Sequence, residues 1–166
     1  MKHVILWTAA AAFLLGIFET AILSHLRFLP VLPDLILILI VYTALYNGSA
    51  AGVIAGFFSG LIFDFLSLAP LGLHSWIFIL IGFLYGILYR RYNVRRILFP
   101  LALVFSATLF KALFLFGLRF LFGQSIQTYN MMSASFWIEI AFNTICAPFL
   151  FALFALFPSA FEIQEQ

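Results

Sequence analysis

The chain has 166 residues, of which 66% are hydrophobic and 8% charged, with a formal net charge of +2. Soluble domains carry about 25% charged residues, so the composition excludes a water-facing surface all round and identifies an integral membrane protein. The single cysteine, Cys146, excludes an internal disulfide, and the absence of a basic or low-complexity tail, a Walker motif or a dinucleotide fingerprint argues against nucleic acid and nucleotides as ligands.

A spanning helix needs about 20 mainly apolar residues. Punctuation by proline, glycine and charge predicts six such helices within one integral membrane domain, residues 1–166, over approximately 4–24, 33–46, 49–68, 72–90, 97–122 and 132–157. The first has a weakly basic start, but its apolar run is longer than the core of a signal peptide, so it reads as a retained helix. It bears Thr8, Ala12, Gly16, Thr20 and Ser24 at intervals of four, with Glu19 near its end and His25 and Arg27 beyond. The second opens on Pro33-Asp34, where Asp34 reads as an N-cap, and stops at Tyr46-Asn47-Gly48.

The third opens with "GSAAGVIAGFFSGLIFD", in which Gly48, Gly52, Gly56 and Gly60 recur every four residues and Asp64 takes the next step. Small residues at this interval let helix backbones approach closely, which matters in lipid because little hydrophobic drive acts between helices. Positions four apart drift by about 40° around a helix, so the strip suits a neighbour that crosses at an angle. Together with Ala12 and Gly16 it forms the candidate packing surface. The preferred reading is packing inside the chain; the alternative is a strip facing lipid that receives another membrane protein. The fourth helix adds Gly82 and Gly86.

Arg90, Arg91, Arg95 and Arg96 join the fourth and fifth helices and are expected to face the cytoplasm. Lys2, four crossings earlier, falls on the same side, so six crossings leave both termini cytoplasmic. Trp7, Trp76 and Trp137 stand near helix ends and read as interfacial anchors. The fifth helix contains Lys111 and Arg119; the sixth contains Glu139 and Asn143.

Ionisable residues at membrane depth are costly and usually face a bundle interior. The expected topology brings Glu19, Asp34, Asp64, Lys111, Glu139 and Asn143 toward the outer side as a polar cluster. Lys111 needs a counter-charge, Glu139 or Asp64, and a structural ion pair is preferred over a proton relay. Plainer readings are that Glu19 and Arg119 snorkel to the interface and that His25 and His74 are loop or interface residues, since no metal-binding spacing accompanies them. No nucleophile–base pair or metal motif is present, so the reading has no catalytic residue, no metal site and no cofactor.

Three stretches carry a family resemblance: "LPDLILILIVYTAL", around Pro33-Asp34-Leu35; "GFFSGLIFDFLSLAPLGLHS", residues 56–75; and "FWIEIAFNTICAPF", residues 136–149, with Asn143 and Pro148. The chain resembles the rod shape-determining protein MreD family, although Leu68 and Ala69 occupy places where members often have glycine. The resemblance implies a bacterial inner-membrane protein of five or six spans with no enzymatic activity. It implies a scaffold for rod shape and lateral peptidoglycan synthesis that binds an MreC-like partner and, indirectly, MreB, RodA and a class B penicillin-binding protein. It also implies a fold similar to the substrate-binding S components of energy-coupling-factor (ECF) vitamin transporters, and capture of a vitamin on the outer side is the alternative function.

Overall fold

The computed structural model describes residues 1–23, 31–67, 70–89, 98–122 and 133–163. Ser24, His25, Arg27, Leu68, Ala69 and the arginine segment 90–96 lie outside the described residues. The described residues form helices and no strands. These are α1 (Lys2–Ile17, continued by a π-helical turn, Phe18–Ile22), α2 (Leu35–Leu66), α3 (Leu73–Gly86), α4 (Leu98–Phe122), α5 (Ala134–Ala155) and the short α6 (Pro158–Phe161). By length and apolar composition the spans that start at Lys2, Leu98 and Ala134 can each cross a membrane, as could the 32 residues from Leu35 if they formed one straight helix, whereas α3 is shorter. The chain is a polytopic helical membrane protein.

α2 is not one rod. A straight helix of its 32 residues would be about 48 Å long at 1.5 Å per residue. Yet Ile36, near its start, and Phe63 and Leu66, near its end, all lie against Gly16 of α1. The chain reverses at Gly48, whose φ of 84° and ψ of 176° belong to a region open essentially to glycine alone. α2 is therefore two antiparallel arms, 35–47 and 49–66. Gly48 is the corner between them, against the Tyr89 ring, and not the first member of the glycine strip.

The first arm is the centre of the molecule. Every residue from 35 to 45 is buried. A helix that is apolar all round is one with neighbours all round, and "LILILIVYTAL" has that character. At 13 residues this arm spans about 20 Å, less than the hydrocarbon thickness of about 30 Å; helices surround it, so its length need not match lipid. α1 covers it with one face, Val4, Thr8, Ala12 and Gly16, where Thr8 and Thr43 meet hydroxyl to hydroxyl at 3.3 Å. Residues of α3, α4 and α5, among them Phe78, Val104 and Phe151, complete the same core. Trp7, Trp76 and Trp137 are exposed on the outer surface, as anchors in a bilayer interface would be.

The second arm and α3 form an antiparallel hairpin in backbone contact. A Cβ added to Gly56 would collide with the Phe78 carbonyl, one on Gly60 with the Ser75 backbone, and one on Gly52 with the Gly82 carbonyl. The relation is mutual: Gly82 meets the Gly52 carbonyl and Gly86 meets Ser49.

Candidate functional site

The candidate site is built around the start of the first arm of α2. Pro33 and Asp34 bring the chain into the helix, and Asp34 caps it: its Oδ1 accepts from the Leu37 N–H at 2.8 Å, satisfying one of the free amides of a first turn. The Leu35 N–H donates to Glu19 Oε1 at 2.5 Å, and the Asp34 N–H donates to Asn143 Oδ1 at 2.7 Å. The amides of this helix start thus receive oxygens from α1, α5 and the cap itself. The positive end of the helix dipole favours such acidic neighbours.

Lys111, from α4, supplies the positive charge. Its Nζ lies 2.6 Å from Asp34 Oδ2 and 3.6 Å from Glu139 Oε1. All of these side chains are buried, Glu19 at 4% and Lys111 at 6% exposure, so an unpaired ion here would carry the full desolvation penalty. Asn143 also donates from Nδ2 to Thr108 Oγ1 at 3.2 Å, and Thr108 donates to the Val104 carbonyl at 3.0 Å. Four separate segments of chain therefore converge on one helix N-terminus.

The π-helical turn at Phe18–Ile22 contains Glu19, and widening the helix by one residue re-aims side chains locally. Glu19 is turned into the bundle and does not snorkel to the interface, because the Leu35 amide offers it a partner inside.

Asp64 stands apart from this cluster. Its carboxylate accepts from the Gly72 N–H at 2.8 Å and the His74 N–H at 3.0 Å, and it lies 2.8 Å from His74 Nδ1. Ser75 Oγ approaches Oδ2 at 3.5 Å. These groups follow within 8 to 11 residues, so Asp64 closes the turn between α2 and α3. The expected counter-charge, Lys111, is engaged by Asp34 and Glu139; His74, read from sequence as a loop or interface residue, is the partner in fact. Gly72 sits at the entry to α3 with φ 94°, which lets its amide point back at the carboxylate.

Of the candidate packing residues, Gly52, Gly56 and Gly60 face α3 of the same chain, Gly16 faces the two arms of α2, and Ala12 is buried in the core. A partner could reach the glycine strip only by displacing α3. Among the described residues no group of His, Cys, Asp and Glu has the makings of a metal site. Cys146 is partly buried and unbonded to another cysteine. A cleft of about 350 Å³ lies between α3 and α4, lined by Leu84, Tyr85, Leu88, Leu103, Ser106 and Phe110.

Sequence reasoning missed a second polar knot, formed by Tyr42, Asn47 and Glu162 at the opposite end of the first arm. The available signal was an asparagine immediately before the turning glycine, at the end of a wholly apolar helix.

A protein-family model described as rod shape-determining protein MreD matches residues 1–157. No curated protein and no solved structure matches the chain.

Proposed function

This chain belongs to the MreD family of rod shape-determining proteins, and on that premise we propose that it is a non-enzymatic scaffold of the elongation machinery in the bacterial inner membrane. It supports rod shape and lateral peptidoglycan synthesis by binding an MreC-like partner, and through it meets MreB, RodA and a class B penicillin-binding protein. The family match along almost the whole chain carries this reading. The use of the buried charges agrees with it: Asp34, Glu19 and Lys111 are directed at one another and at helix-end amides, an arrangement that holds helices in register. The same arrangement disfavours vitamin capture, since these carboxylates are already engaged within the bundle. Because the glycine strip is occupied by α3, the partner meets the outer faces of the bundle.

The test is complementation in a rod-shaped bacterium depleted of its own MreD. The chain is expected to restore cylindrical growth and to co-purify with the MreC-like protein. Round cells that contain normal amounts of folded, membrane-inserted protein, with no MreC-like protein recovered, would sink the proposal.

A further inference from the structure

At the end of the bundle away from the Asp34 and Asp64 clusters, residues 158–163 are bound back onto α2 by a set of contacts that reads peptide. Asn47 makes two hydrogen bonds to one stretch of backbone. Its Nδ2 donates to the Phe161 carbonyl at 2.7 Å, and its Oδ1 accepts from the Ile163 N–H at 2.7 Å. In an extended chain the C=O of one residue and the N–H two residues on point to the same side. Glu162, between them, is extended with φ −123° and ψ 138°, so a single side-chain amide takes the place of a neighbouring strand. Nδ2 also donates to the Thr43 carbonyl of its own helix at 2.9 Å, which fixes the plane of the amide.

Two further contacts select side chains. The Tyr42 hydroxyl donates to Glu162 Oε1 at 2.8 Å. The buried Phe161 ring stands edge-on to Tyr42 at 6.4 Å and lies 5.2 Å from Phe154, and Tyr42 is itself packed by Tyr46 and Phe151. The elements are backbone reading, an aromatic pocket and a hydroxyl anchor for a carboxylate. Moreover, Tyr42, Asn47, Phe151 and Phe154, which build the site, fall within the family-matched residues 1–157, whereas the segment that occupies it lies beyond them.

We propose that this is a peptide-binding site for a segment of a partner protein in which a helical turn ends on an aromatic residue and an extended carboxylate residue follows, and that residues 158–163 are a tethered ligand which that segment displaces. A short tether gives an effective concentration in the millimolar range. A free peptide therefore competes weakly, and the natural competitor is a protein held beside this one in the same membrane.

The experiment uses the full chain with Cys146→Ser and a nitroxide spin label on a cysteine at the exposed position 159, titrated with a synthetic peptide of residues 158–166. The immobile component of the spectrum is expected to give way, saturably and at millimolar peptide, to a mobile one. A peptide carrying Phe161→Ala is expected to leave it unchanged. Asn47→Leu in the chain is expected to release the label without any peptide; if that variant does not fold, Phe161→Ala in the chain, which alters only the displaced segment, reads the same release. A label that stays immobile at saturating peptide, that responds equally to the Phe161→Ala peptide, or that is unaffected by the chain variants overturns the proposal.

Discussion

α2 carries two buried aspartates, Asp34 at its N-cap and Asp64 in its last turn, and the two are put to opposite uses. Asp34 is joined to Lys111, 77 positions away, and its amide to Asn143, 109 positions away. Asp64 is joined to Gly72, His74 and Ser75, all within 11 positions. Burial does not tell them apart, at 6% and 2% exposure; the distance along the chain to their partners does. Asp34 ties the tertiary structure together, and Asp64 shapes one turn. An acidic residue at membrane depth therefore declares that it has partners, and only their identity reveals its role.

The difference can be broken most severely at Lys111. Lys111→Met leaves Asp34 and Glu139 buried without their cation, and the expected loss is about 3–5 kcal/mol, the usual consequence of removing one partner of a buried pair. It should appear as a lowered thermal midpoint for the whole bundle in detergent, and adding Asp34→Asn should restore part of it. A midpoint unchanged by Lys111→Met would mean that the cluster does not hold the bundle.

On the Asp64 side the nearest equivalent is steric. Gly56→Ala forces the second arm away from the Phe78 carbonyl, and over-packing of this kind costs about 1–3 kcal/mol. Cross-linking between cysteines placed on the outer surfaces of the second arm and α3 should fall in parallel. Asp64→Asn is expected to cost about 1–2 kcal/mol by weakening bonds to a charged acceptor. Its mark is spatial: amide exchange should accelerate at Gly72 and His74 while the amides of Asp34 and Leu35 keep their protection. Equal acceleration at both places would erase the distinction between the two aspartates. The smallest effect is a control. Gly117 has open space where a Cβ would go, so Gly117→Ala should raise stability by up to about 1 kcal/mol through helix propensity, measured as a small upward shift of the midpoint.

Much of the architecture was legible from residue order. The apolar runs announced a helical membrane bundle, and Tyr46-Asn47-Gly48 marked the reversal that divides α2. Asp34 was recognisable as a cap because it follows Pro33 and precedes an apolar run. Counting crossings led to the expectation of one outer-side cluster of Glu19, Asp34, Asp64, Lys111, Glu139 and Asn143, since alternating helix directions set each residue's depth. Depth was all that this reasoning supplied. Asp64 lies at the same end as Asp34, but rotation about the helix axis turns it toward the α2–α3 turn, and a sequence count of crossings carries no rotation.

The knot at Asn47 illustrates the same boundary from the other side. Its partners are backbone groups at Phe161 and Ile163, more than 110 positions away, and a backbone group looks alike at every residue of a sequence. The sequence by itself determined the membrane and the helices, because these depend on hydrophobic length. Which carboxylate met the lysine, which met the histidine and what filled the pocket beside Tyr42 were decided only by the tertiary structure. Those pairings depend on how each helix is rotated against its neighbours, and that rotation is set by packing around the buried first arm of α2.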